Sequence, residues 1–85
     1  MSSEILTAVL QRLQFYLPRQ IPAEQLIESA DLQNDLGFDS LGLATVATDL
    51  HSTLAFDLPY FIENMSEIRL VSDLVRVVEE ALLIH

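Results

Sequence analysis

The heptapeptide Asp35-Leu36-Gly37-Phe38-Asp39-Ser40-Leu41 reads as a tight turn that runs straight into a helix start. Gly37 permits the turn, because it has no Cβ to clash in a left-handed backbone. Asp39 is of the type that caps the free amides of a helix N-terminus. The side chain of Ser40 then projects beside the positive end of the helix dipole, where an anion bonded to its oxygen is favoured. Taken alone, the tripeptide Asp39-Ser40-Leu41 says only that Asp39 and Ser40 are capping residues.

Downstream, the pattern predicts a helix from Asp39-Ser40 to about Leu54, with Leu43, Ala44, Val46, Ala47, Leu50 and Leu54 as its apolar stripe. Gly42, Thr45, Val46, Thr48, Ser52 and Thr53 are poor helix formers, so this helix depends on tertiary packing. Pro59-Tyr60-Phe61-Ile62 opens a brief third helix ending near Met65. Ser72 is expected to cap a last helix through Leu83, with Leu74, Val75, Val77, Val78, Ala81, Leu82 and Leu83 apolar. The β-branched valines raise the alternative of a strand, which the helical spacing and the Glu79-Glu80 pair disfavour.

Upstream, Ile5, Leu6, Val9, Leu10, Leu13, Tyr16 and Leu17 recur at steps of three and four, with Ser3 as expected N-cap and Pro18 as stop. The stretch from Pro18 to Asp39 has no sustained period and reads as a long loop with a helical turn around Ala23–Glu28. Ile21, Leu26, Ile27, Leu32 and Leu36 are expected to pin it to the core. The fold class is therefore all-α: three main helices, one short helix, and a long loop between the first two. One domain over residues 1–85 is the expectation for this length.

Thirteen carboxylates face four arginines, and the formal net charge is −9. Residues 1–20 hold Glu4 against Arg12 and Arg19, whereas Glu24 to Asp39 contains five acids and no base. Such a surface repels nucleic acid phosphates and anionic membranes and favours basic protein partners. With no cysteine and two histidines, disulfides, thiol nucleophiles and a metal site are not expected. No apolar run approaches the ~20 residues that span a bilayer. Met1-Ser2-Ser3-Glu4 lacks the basic, apolar start of a signal peptide, so a cytoplasmic location is expected. A Met1 just ahead of the first helix and a His85 just after the last read as a free-standing chain, with a domain excised from a large synthase as the alternative, and no heptad seam calls for an oligomer.

With its acidic composition, small size, long first loop and closing Val71-Ser72-Asp73-Leu74-Val75 segment, the chain resembles the acyl carrier protein family. That family's signature, Asp-x-Gly-x-Asp-Ser-Leu at the start of the second helix of a small bundle, is matched by Asp35 to Leu41. The resemblance implies that a phosphopantetheinyl transferase esterifies Ser40 with 4′-phosphopantetheine from coenzyme A. The arm's thiol then holds acyl groups as thioesters and carries them between acyl-loading, synthase and acyl-transfer enzymes with basic docking patches. It explains how a chain without cysteine can serve thiol chemistry, and it implies a phosphoprotein that is not itself an enzyme. No Ser-His-Asp set is evident, since His51 lies eleven residues from Ser40.

The resemblance further implies that Asp39 and Leu41 flank the attachment site and that Asp35, Asp39, Leu41, Thr45 and Thr48 face partner enzymes. A core-closing role for Leu41 and a purely structural role for Asp35 and Asp39 stand beside this reading. Ala44, Ala47, Phe61, Ile62 and Met65 are candidates to line an acyl cleft, or else simply fill the core. The chain departs from fatty-acid carriers in its second helix, where glutamates are replaced by Gly42, Thr45, Thr48, His51 and Ser52, with Asp49 the one carboxylate between Asp39 and Asp57. A specialised lipid or polyketide pathway is one consequence. An aminoacyl or peptidyl carrier and an unmodified helical adaptor remain as alternatives.

Overall fold

The computed structural model describes residues 3–18 and 20–84. The N-cap expected at Ser3 turns on a side chain outside that description, as does the expected closing residue His85. Four helices succeed one another: α1 (Ser3–Tyr16), α2 (Ser40–Leu54), α3 (Leu58–Asn64) and α4 (Val71–Leu82), with 3₁₀ turns at Ala23–Gln25 and Met65–Glu67. The fold is all-α, with three principal helices and one short one. Among the described residues, an isolated antiparallel bridge between Asp31 and Leu70 is the one β-type contact.

Each helix ends for a readable reason. α1 stops at Tyr16, two residues before Pro18, whose ring disfavours helical geometry at the residue ahead of it. α2 closes on Ala55 in the left-handed region (φ 53°), where its N–H donates to the His51 carbonyl. α3 begins one residue earlier than expected, because Asp57 caps it by accepting from the Tyr60 amide at 2.9 Å.

α4 corrects the expectation most clearly. Ser72 is not its cap: the helix already begins at Val71, and the acceptor is Asp73, whose carboxylate reaches back to the amides of Leu70 (2.9 Å) and Arg69 (3.1 Å). The amides of Val71 and Ser72 donate instead to the loop carbonyls of Ala30 (3.0 Å) and Glu28 (2.9 Å). Donors that a helix start must leave unpaired thus dock the long loop. At the other end Leu83, expected in the apolar stripe, lies past the helix and is 83% exposed.

α1 packs on α2 and α4, and α3 on α4. Val9 and Leu13 of α1, Leu43, Val46, Ala47 and Leu50 of α2, Phe61 of α3 and Leu74, Val75, Val77, Val78 and Ala81 of α4 form one buried core. Each fully buried Leu, Val or Phe contributes about 1.5–3 kcal/mol, which outweighs the poor intrinsic helicity of the valines. The long loop joins the core through Ala30, Leu32, Leu36 and Phe38, while Ile21 and Leu26 pack partly against it. Ile27, expected as a further anchor, is half exposed. The expected helical turn around Ala23–Glu28 is a shorter 3₁₀ turn, Ala23–Gln25, whose last amide donates to the Pro22 carbonyl at 2.9 Å.

Candidate functional site

The start of α2 is built from the loop outward. Asp31 organises the turn: its carboxylate accepts from the amides of Gln33 (2.9 Å) and Asn34 (2.8 Å) and from the Asn34 side chain (3.2 Å). The Asn34 amide chiefly, with those further donors and Arg69, holds the Asp31 carboxyl below the ordinary carboxylate range. Asp35 closes the ring by accepting from the Asp31 amide at 2.8 Å. Gly37 comes next in the left-handed region at φ 83°, which carries a steric penalty for other residues. Buried Leu36 and Phe38 on either side of it anchor the turn in the core.

From that anchor Asp39, Ser40 and Leu41 emerge exposed. Asp39 is the N-cap, as expected; it is extended, and its Oδ1 accepts from the Gly42 amide at 2.7 Å. Gly42 leaves room for this cap, since a Cβ there would lie 3.2 Å from Asp39 Oδ1 and 3.3 Å from Phe38. Ser40 is the first residue of α2, and among the described residues no hydrogen bond holds its hydroxyl. Leu41 is 76% exposed, so it does not close the core.

A groove of about 550 Å³ opens beside Ser40. Phe38, Leu43, Ile62, Met65 and Ile68 give it an apolar wall, and Gln33, Asp39, Ser66 and Arg69 supply polar groups. Two of the five cleft candidates therefore meet at Ser40. Phe61 and Ala47 are buried in the core instead, and Ala44 is half buried; none of the three lines this groove.

Further along α2, Thr45 and Thr48 are exposed, but their hydroxyls donate back to the carbonyls of Leu41 (3.0 Å) and Ala44 (2.9 Å). Ser52 likewise donates to the Asp49 carbonyl at 2.8 Å. Asp49, the one acid of α2, faces α1, where Tyr16 donates to it and Arg12 lies 3.6 Å away. His51 is half buried, edge-on to the buried ring of Phe56 at 5.5 Å, and does not line the groove with Ser40. Sequence reasoning missed Asp31 and Arg69. An aspartate such as Asp31, in a stretch with no sustained period and just ahead of Asn34, is of the type that accepts from backbone amides two and three residues on, the Asx-turn signal that could have found the first.

A comparison with curated proteins finds the acyl carrier protein of Syntrophus aciditrophicus (strain SB) to be 34% identical over 56 residues, covering 66% of this chain and 68% of that one. The chain belongs to the acyl carrier protein family. No family model matches it, and no solved structure does. Acyl carrier proteins are carriers rather than enzymes, and phosphopantetheine is the group they generally bear. The residues present in this carrier fit such a group: an exposed hydroxyl at a helix N-terminus, a groove with an apolar wall beside it, and a guanidinium on the rim. Among the described residues no helix is long and apolar enough to cross a membrane.

Proposed function

We propose that Ser40 is the attachment point of 4′-phosphopantetheine and that this protein shuttles acyl intermediates between enzymes of fatty-acid, lipid or polyketide biosynthesis. The observation that carries the reading is the exposed, unbonded Ser40 hydroxyl at the first turn of α2, opening onto a groove. The group supplies a terminal thiol on which an acyl chain is held as a thioester. Ser40 supplies only its oxygen: an Oγ–phosphorus bond forms, the phosphoanhydride of coenzyme A breaks, adenosine 3′,5′-bisphosphate departs, and the hydroxyl proton passes to the transferase. The dipole of α2 and its first amides favour the anion at this position. Asp39 keeps that helix start formed.

The docking face consists of Asp35, Asp39 and Leu41 with Thr45 and Thr48, and its partners are the transferase and basic acyl-loading, synthase and acyl-transfer enzymes. The carrier works as a cytoplasmic monomer and as one domain. The uncharged outer face of α2 favours a restricted set of partners in a specialised pathway, since charge there sets association rate and selectivity. Complementation of a cell lacking its housekeeping carrier tests this, and full rescue counts against specialisation.

Incubation with coenzyme A and a broad-specificity transferase, then intact mass measurement, tests the attachment. One added phosphopantetheine is expected on the native chain and none on Ser40→Ala. No gain with several transferases supports an unmodified adaptor instead. Loading with aminoacyl but not acyl donors reassigns the carrier to peptide chemistry.

A further inference from the structure

Arg69 lines the same groove as Ser40, and it is the one cation there. It reaches that position through backbone pairing. Leu32 donates its N–H to the Arg69 carbonyl at 2.8 Å and accepts the Phe38 N–H at 2.8 Å, so one residue ties position 69 to the turn that ends at Ser40. The Arg69 N–H in turn donates to Asp73. The backbone is thus held on both sides while the side chain stays 74% exposed.

The guanidinium is only loosely engaged. Its contact with Asp31 runs through Nε at 4.0 Å, and Asp31 is already satisfied by three amide donors. Among the described residues the two terminal nitrogens of Arg69 make no hydrogen bond or ion pair, and its charge reaches Asp73 only at longer range. A planar fork of this kind matches phosphate oxygens in a bidentate way that lysine does not. The need for a cation is equally plain: an anion placed on Ser40 meets Asp39 next to it, in a chain whose net charge is already −9. Unopposed, that repulsion would push the arm outward; a positive charge on the groove rim reverses the preference.

We propose that Arg69 clasps the phosphodiester formed at Ser40 and so lays the arm along the groove, a positioning role that rests on the attachment proposed above. Gln33 and Ser66, which line the same groove, offer hydrogen-bonding groups to the amides and hydroxyl of the pantetheine portion. Ile62 and Met65 offer an apolar wall to the acyl chain beyond the thiol. In this carrier the arm rests docked and leaves the groove when a basic partner surface competes with Arg69 for the phosphodiester.

The test compares unmodified and modified protein, with the modification verified by mass. The Arg69 Nε–H resonance is expected to move on modification while those of Arg12 and Arg76 stay in place. The phosphorus resonance of the modified protein should shift in Arg69→Gln and return toward the native position in Arg69→Lys. Because the first readout uses the native chain, it stands even if Arg69→Gln fails to fold. An unmoved Nε–H resonance in verified modified protein overturns the clasp while leaving the attachment intact. Absence of any mass gain overturns the attachment, and the clasp with it.

Discussion

The phenol of Tyr16 on α1 donates a hydrogen bond to the carboxylate of Asp49 on α2. Arg12, one turn earlier on α1, completes the contact at 3.6 Å. The one acid that α2 possesses is therefore engaged by α1 rather than left free for a partner. The hydrogen bond to Asp49 chiefly, then burial, raises the Tyr16 phenol above its ordinary range. The Tyr60 phenol is raised for the same reason by Glu80, to which it donates at 2.8 Å.

These two tyrosines set the alkaline limit. A raised folded-state value means that the protonated form is favoured by folding, so its contribution is complete below about pH 10 and is lost as pH rises through the raised values. Melting temperature should decline above about pH 10, and Tyr16→Phe should flatten that decline. At neutral pH the same variant should melt about 2–5 °C lower, the usual effect of losing one hydrogen bond in a domain of this size. An alkaline limb identical in Tyr16→Phe and native protein contradicts the assignment.

The acid limb has the opposite sign. Asp73 is held below the ordinary carboxylate range by the Leu70 amide first, then the Arg69 amide and Arg76, and Asp31 is held down likewise by the Asn34 amide. Depressed values contribute stability above about pH 4, and that stability is lost as pH falls through them. Asp73→Asn keeps an acceptor near the helix start but removes the titration, so its melting temperature should fall less steeply between about pH 4 and 2. Asp73→Ala, which leaves the amides of Leu70 and Arg69 unpaired, should cost about 1 kcal/mol at neutral pH. Equal acid slopes in native and Asp73→Asn chains refute this account.

The helices were legible because their apolar residues repeat: Val9 and Leu13, then Leu43, Val46, Ala47 and Leu50, are the core-facing positions that the stripes indicate. The turn into α2 was legible because Gly37, Asp39 and Ser40 each have a local physical role. What the sequence hid is tertiary. Tyr16 reads as one more stripe residue, and nothing local says that its hydroxyl reaches Asp49. Ser72 looks like a cap, but the donors of the first turn of α4 are claimed by Ala30 and Glu28, some forty residues away. Arg69 looks like a stray charge until Leu32 pairs with its carbonyl and carries it to the groove. Ile27 looks like an anchor beside Leu32, yet it is half exposed and Ala30, which was not expected to anchor the loop, is buried.

Salt should stabilise this protein. Thirteen carboxylates against four arginines repel on average, whereas the attractive pairs that salt also screens, Arg76 with Asp73 and Glu80, Arg69 with Asp31 and Arg12 with Asp49, have partly or largely exposed arginines and are worth little each. Melting temperature should rise steadily from low salt to about 0.5 M sodium chloride, where screening acts within a few ångströms. Millimolar divalent cations should raise it more per ion. A flat or falling response means that the attractive pairs dominate.

Asp39 has an observed role and a proposed one that substitution can separate. As N-cap it accepts from the Gly42 amide at 2.7 Å, and as an exposed acid beside Ser40 it is available to a basic transferase. Asparagine caps about as well as aspartate, so Asp39→Asn should leave melting temperature nearly unchanged, while Asp39→Ala should cost about 1 kcal/mol. Both should be modified by the transferase more slowly than the native chain, and the deficit of Asp39→Asn should shrink as salt weakens the native encounter. The readouts are the melting curve of each variant and the rate of its mass gain with coenzyme A at two ionic strengths. If Asp39→Asn is modified at the native rate at low salt, the acid serves the helix alone, and recognition must fall on Leu41 and Asp35.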